Sequence, residues 1–257
     1  MESIPARTEP ENGPTWFNAG RLLAGLRRLV MFCGAFGSGK TEVAVNFALG
    51  LRQQGRKVAV ADLDIVNPYF RSREVREQLA GFGVDVIIPS EQLLNADLPI
   101  IQPEVRGALE KSAGHVVLDL GGDPVGARLM ASFAGLVRPE ELDGLFVLNS
   151  RRPRTLKAAD AGRMMQEISA AAQVRMTGIV VNSHLVGETT AEVVSEGIAL
   201  AEELAAATGV GIAFVTVERG LLERLDAAGC RYPVMVLERL MLKPWEPSNW
   251  LGKRRIN

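Results

Sequence analysis

Short apolar runs recur along this chain at 29–33, 58–61, 84–88, 116–118, 145–148, 178–181 and 212–217. Most are continuous rather than alternating, which is the pattern of strands buried on both faces in a parallel sheet. Between them lie segments with helical spacing, at about 40–54, 71–81, 103–112, 126–135, 155–173 and 190–207. Strand–helix–strand repetition of this kind predicts a doubly wound, three-layer α/β/α fold with a mostly parallel sheet, and right-handed crossovers place helices on both of its faces. Ahead of the first run, Phe17, Leu22, Leu23 and Leu26 recur at helical spacing and predict a short amphipathic helix under the sheet. Residues 1–15, polar and proline-bearing, read as a flexible leader, and 16–232 read as one domain. Residues 233–257, with Pro233, Pro244 and Pro247, break the rhythm and read as a C-terminal tail packed on the domain.

The run at 29–33 leads directly into Gly34-Ala35-Phe36-Gly37-Ser38-Gly39-Lys40-Thr41, which satisfies G-x-x-x-x-G-K-[ST] at every required position, and a helical pattern follows. Glycines let the backbone curl so that successive N–H groups face an anion, and the helix start adds its positive dipole end. Lys40 is expected to neutralise the β- and γ-phosphates, and the Thr41 hydroxyl to ligate Mg²⁺. The site of a P-loop NTPase also needs carboxylates at neighbouring strand ends. Asp62 and Asp64 follow the second run, and Asp119 ends the fourth, just before Gly121 and Gly122. Asp119 is the choice for the acid that reaches Mg²⁺ through water, and Asp64 for the one that positions the attacking water and adjoins the metal. Gly121 or Gly122 would offer an N–H to the γ-phosphate. Each acid has a plainer reading as a cap or loop carboxylate, Asp62 most of all.

Composition removes other classes. Lys plus Arg total 29 against 30 Asp plus Glu, a net charge of −1, so no general electrostatic attraction to nucleic acid or to an anionic membrane exists. Cys33 and Cys230 are the only cysteines and His115 and His184 the only histidines, with no zinc or iron–sulfur spacing. Cys33 reads as a small buried hydrophobe and the two histidines as structural or surface residues. No run approaches the roughly 18 apolar residues of a membrane span. The acidic, proline-bearing start lacks the basic and apolar regions of a signal peptide, so a cytoplasmic protein without stable membrane insertion is expected. Lys253, Arg254 and Arg255 close a tail whose helix would be interrupted by Pro244 and Pro247.

The stretches GAFGSGKTEVAVNFALGL, KVAVADLDIVNPYF, VDVIIPS, VVLDLGGDPVG and TGIVVNSHL, in this order, resemble the ParA/MinD/CobQ-type ATPases of the SIMIBI branch of P-loop proteins. The resemblance implies a phosphate-loop strand near the centre of the sheet, a water-orienting role for Asp64, Mg²⁺ support from Asp119, and Asn182 facing the base. MinD- and ParA-like members carry a lysine early in the loop, as KGGxGKT, which reaches across an ATP-sandwiched dimer. Here Ala35 holds that place and Phe36 replaces the first glycine, so no cation from that position crosses a homodimer interface. Arg71 and Arg73 are possible substitutes, although such residues commonly begin a solvated helix. Guanine-specific relatives use Asn-Lys-x-Asp, whereas Asn182 is followed by Ser183, His184 and Leu185, which favours ATP over GTP. Asn182 also has a plainer reading as a loop-turn residue.

The expected function is thus a Mg²⁺-dependent ATPase acting as a nucleotide-controlled switch, slow without a protein partner. The alternative is an ATP-dependent synthetase on a small carboxylate, similar to cobyrinic acid diamide synthase or dethiobiotin synthetase. Asp123, Arg151, Arg152 and Arg154 would then hold the substrate.

Overall fold

The computed structural model describes residues 15–17, 19–64, 73–88, 103–111, 114–122, 124–133, 135–185, 187–227 and 230–240. Among these, nine strands form one sheet: β1 (Thr15–Phe17), β2 (Leu29–Gly34), β3 (Val58–Leu63), β4 (Val84–Ile87), β5 (His115–Leu120), β6 (Leu142–Leu148), β7 (Met176–Val181), β8 (Ile212–Glu218) and β9 (Val234–Leu237). Their spatial order is β1-β9-β8-β7-β6-β2-β5-β3-β4. Every pairing is parallel except β1 with β9. The phosphate-loop strand β2 therefore lies inside the sheet, between β6 and β5, as the resemblance implies.

Successive residues of the inner strands point to opposite faces, and each face carries its own core. Leu29, Met31, Leu118, Phe146, Ile179 and Val215 join one cluster, packed with Val105 and Leu109 of α4 (Pro103–Lys111), Ala127 and Met130 of α5 (Pro124–Ala131), Met164 and Ile168 of α6 (Ala158–Ala172) and Ala201 and Leu204 of α7 (Ala191–Thr208). Val30, Phe32, Val60, Val117, Leu145 and Phe214 join the other, beneath α2 (Lys40–Gln53), with Leu79 of α3 (Arg73–Gly81). Both faces being dry explains the unbroken apolar runs. Phe47 of α2 anchors the second core, edge-on to Phe32 at 5.2 Å between ring centroids and stacked on Phe214 at 5.9 Å.

Two expectations at the ends change. The predicted helix before the first run shortens to α1 (Gly20–Ala24), preceded by strand β1, although Leu22, Leu23 and Leu26 do pack against the second core. Val234–Leu237, expected as the start of the tail, is strand β9, with Val234, Met235 and Val236 buried. Pro233 does not prevent this because it precedes the strand, where no ladder N–H is needed from it. The leader 1–14, Arg71, Asp123 and 241–257, including Pro244, Pro247 and the terminal basic residues, lie outside the described residues. So does the side chain of Arg73.

Candidate nucleotide site

In an open parallel sheet the ligand crevice forms at the carboxyl ends of the strands, and here the described residues that follow β2, β6, β7 and β8 share that edge with Asp64 after β3 and with Gly121 and Gly122 after β5. The loop after β2 turns back on itself through the Ser38 N–H donated to the Ala35 carbonyl at 3.0 Å. It enters α2 through Gly39, the N-cap, at φ 83°. Only glycine is at ease there, and a β carbon would also strike the Asn182 amide. The open first turn of α2 is thus presented to whatever occupies the loop.

Lys40, 5% exposed, places Nζ 3.4 Å from Oδ2 of Asp64, at the end of β3. Asp62 serves its own chain: its Oδ1 accepts the Asp64 N–H at 3.0 Å, which fits the plainer reading of that acid. Asp119 pairs in register with Phe32 of β2 and Asp62 of β3 and is buried. Neither of its carboxylate oxygens receives a hydrogen bond of normal geometry. Burial pushes its pKa up to about 6, against the opposing pull of Lys40 and of the Thr41 hydroxyl, while Asp64 adds to the rise. A buried carboxylate without a donor, beside Thr41 and one ammonium group, is the chemistry of a site completed by a hydrated cation. Among the described residues no group of three His, Cys, Asp or Glu could hold a metal by itself. The residues present therefore fit Mg²⁺ arriving with a nucleotide: Thr41 would hold it, and Asp119 and Asp64 would support it.

Gly122, beyond β5, packs on the phosphate loop. A β carbon there would lie 2.9 Å from the Phe36 nitrogen and 3.0 Å from the Gly34 oxygen. Gly122→Val is expected to displace the loop and weaken nucleotide binding on the order of 10–100-fold while the circular dichroism spectrum is retained. Calorimetric titration would expose an error if affinity stayed at the wild-type value.

A cavity of about 390 Å³ runs from the loop toward β7, β8 and β9. Phe36, Gly37, Gly39, Lys40, Thr41, Asp64 and Asn182 all line it, whereas Gly34, Ala35, Ser38, Asp119, Gly121 and Gly122 are not among its lining residues. Asn182 is 2% exposed and fixed at both ends. Its Nδ2 donates to the Ser38 carbonyl at 2.7 Å, and its Oδ1 accepts from Thr216 Oγ1 at 2.6 Å. One N–H and one lone pair of the amide remain for a ligand.

Other cavity residues escape a sequence reading. Thr216 and Glu218 of β8 and Arg239 beyond β9 line the same space. Burial raises the Glu218 pKa while Arg239 draws it down. His184, expected to be structural or at the surface, also lines the cavity, its pKa lowered by burial first and by Arg152 and Arg239 next. His115 keeps its structural reading: it accepts from Arg56 at 2.9 Å and lies 3.2 Å from the Arg27 carbonyl. The Cys33 thiol, buried and pushed up to about 12 by that burial, is an inert core group. Of the arginines after β6, Arg151 pairs with Glu196 and Arg154 with Glu167, while Arg152 turns to the phosphate loop.

The CobQ/CobB/MinD/ParA nucleotide binding domain matches residues 31–212. The chain belongs to that family. By that description the matched region is a nucleotide binding domain. Solved structures similar in fold include the signal recognition particle receptor FtsY from Elizabethkingia anophelis in complex with GDP, at 15% identity over 74% of this chain and 57% of that one, with a TM-score of 0.50. Chloroplast FtsY from Physcomitrella patens is 16% identical over 76% of this chain and 60% of that one, with a TM-score of 0.49. The 54 kDa signal recognition particle protein from Aeropyrum pernix K1 in complex with GDP is 20% identical over 74% and 41%, with a TM-score of 0.48. This chain thus spans 60% or less of each of these three neighbours. No curated protein matches the sequence. No helix among the described residues is long and apolar enough to cross a membrane.

Proposed function

We propose that this chain is a Mg²⁺-dependent ATPase whose bound nucleotide sets its interaction with a protein partner. The observation that carries the reading is Lys40, buried between two buried acids under the open first turn of α2. Without nucleotide, Asp64 holds the ammonium group. With a triphosphate in the loop, the β- and γ-oxygens take that ammonium, and Asp64 is released to orient water. Mg²⁺, when bound, supplies positive charge to the phosphate oxygens. In the hydrolytic step the water oxygen bonds to the γ-phosphorus as the bond to the β–γ bridging oxygen breaks. The diphosphate leaves with the electron pair, and the water proton passes to the released phosphate or to solvent. Loss of the γ-phosphate leaves the β-phosphate alone to compete with Asp64 for Lys40, so the ammonium group answers to the state of the nucleotide. The free N–H and lone pair of Asn182 match the N7 acceptor and 6-amino donor of adenine.

Asp64→Ala is expected to bind ATP with little loss yet hydrolyse it on the order of 100-fold more slowly. Phosphate release under single-turnover conditions measures this, and an unchanged rate would remove Asp64 from its role. The same assay separates the synthetase alternative. Phosphate release that requires an added carboxylate metabolite, and leaves that metabolite modified, would overturn the switch reading. Parallel titrations with ATP and GTP decide the base.

A further inference from the structure

Arg152 follows β6, the strand beside the phosphate-loop strand, and differs from its neighbours in where its charge goes. Arg151 and Arg154 each form an ion pair with a glutamate through a terminal nitrogen. Arg152 instead donates through Nε to the Gly37 carbonyl at 2.6 Å. The guanidinium lies against the loop there, since a β carbon on Gly37 would be 3.3 Å from Nε and 3.4 Å from Cζ. Its two terminal nitrogens have no carboxylate and no hydrogen-bond partner among the described residues.

The backbone carrying Arg152 is firmly built. Its N–H donates to the Asn149 carbonyl at 3.2 Å, and its own carbonyl accepts the Thr155 N–H at 2.9 Å. The buried Thr155 hydroxyl closes the turn on the Asn149 carbonyl at 2.6 Å. Ser150 N–H donates to Ser183 Oγ at 3.0 Å, which ties this turn to the loop after β7 that holds the cavity wall. The position that could have carried a loop cation is a buried alanine, Ala35.

We infer that Arg152 is the intrinsic arginine of this site, its terminal nitrogens contacting the γ-phosphate of a bound nucleoside triphosphate and stabilising the charge that develops as that phosphate is transferred. The inference rests on the nucleotide reading above and deepens it. An arginine forks two N–H donors onto adjacent phosphate oxygens, and anchorage through Nε leaves both terminal nitrogens available for that purpose. A group already fixed against the loop needs little reorganisation as the reaction proceeds. The cation is thus supplied by the same chain rather than across a subunit boundary.

The test compares wild type, Arg152→Ala and Arg152→Lys, using ATP, ADP and ADP with aluminium fluoride as probes. Arg152→Ala is expected to lower the single-turnover hydrolysis rate on the order of 1,000-fold. It should weaken ATP affinity more than ADP affinity and fail to trap ADP–aluminium fluoride, with ADP affinity held within about twofold of wild type. Arg152→Lys restores charge without the fork and should recover only part of the rate. Added guanidinium ion should partly rescue the alanine variant. Wild-type hydrolysis and trapping in Arg152→Ala would overturn the inference while leaving the nucleotide reading intact. Equal loss of ATP and ADP affinity with a lowered melting temperature would overturn it too, by making Arg152 a clamp on loop shape. Wild-type protein that binds neither nucleotide would remove both readings together.

Discussion

Lys40→Ala abolishes measurable nucleotide binding: calorimetric titration with ATP or GTP, with Mg²⁺ present, is expected to lose at least about 100-fold in affinity. The size of the effect follows from the position of the ammonium group. It is the cation that meets Asp64 and offsets the charge of Asp119, and all three groups are buried. Removing it takes away the main counter-charge for the phosphates and leaves two neighbouring acids without their shared cation. Breaking a buried pair in this way costs about 3–5 kcal/mol, so the metal-free protein should also melt earlier. Lys40→Met separates the two effects, since it keeps much of the side-chain packing while removing the charge. Wild-type affinity in either variant would refute the assignment of the loop.

Asp119→Asn is expected to move stability and function in opposite directions. The carboxyl group has its pKa raised from 3.8 to about 6, chiefly by burial. The folded protein therefore holds a proton at this group in a range where the unfolded chain has released it. Stability then falls as pH rises between those values, and above about pH 6 the full cost of the buried charge is present. Taking that charge away should stabilise the nucleotide-free protein at pH 7.5 by on the order of 3 kcal/mol, less whatever the new amide loses by lacking partners. At pH 4 the gain should vanish, because the native carboxyl is then protonated. Mg²⁺-dependent ATP binding should fall in the same variant, since the acid that supports the metal is gone. Melting temperatures at the two pH values, beside Mg²⁺ titrations, check both arms. A variant less stable at pH 7.5 than at pH 4, relative to wild type, would contradict the account of Asp119 as a costly, unsatisfied charge.

The interior of the fold was legible because its physics is local and repeated. Strands β2, β3, β5, β6 and β7 are largely buried on both faces, so each leaves an apolar run, and each intervening helix leaves its own period. Strands β1 and β9 were hidden for a different reason. Each is short, and their pairing joins Thr15–Phe17 to Val234–Val236, a match between chain ends that no window of sequence contains. The site divides in the same way. Gly34 to Thr41 is a contiguous motif, and Asp64, Asp119 and Asn182 follow strands whose ends must share an edge. Thr216, Glu218 and Arg239 belong to no such motif, and only the order of β7, β8 and β9 carries them into the cavity. The turn of Arg152 toward Gly37 is equally a matter of side-chain direction, and in the sequence it is one of three similar arginines.

The segment after β9 is fastened to α2 by Asn46, which exchanges hydrogen bonds with Glu238 at 2.9 Å each way across 192 positions, and by Glu42, which accepts the Leu240 N–H at 2.6 Å. Arg239, between those two fastenings, forms part of the cavity wall. A nascent chain emerging from the ribosome would therefore expose its phosphate loop long before that wall is in place. At about 5–20 residues per second, the interval is roughly ten to forty seconds. Ligand-assisted folding thus has to wait until β9 and the segment after it have been made, and a polypeptide stalled or clipped before β9 would carry an intact loop in an unfinished chamber.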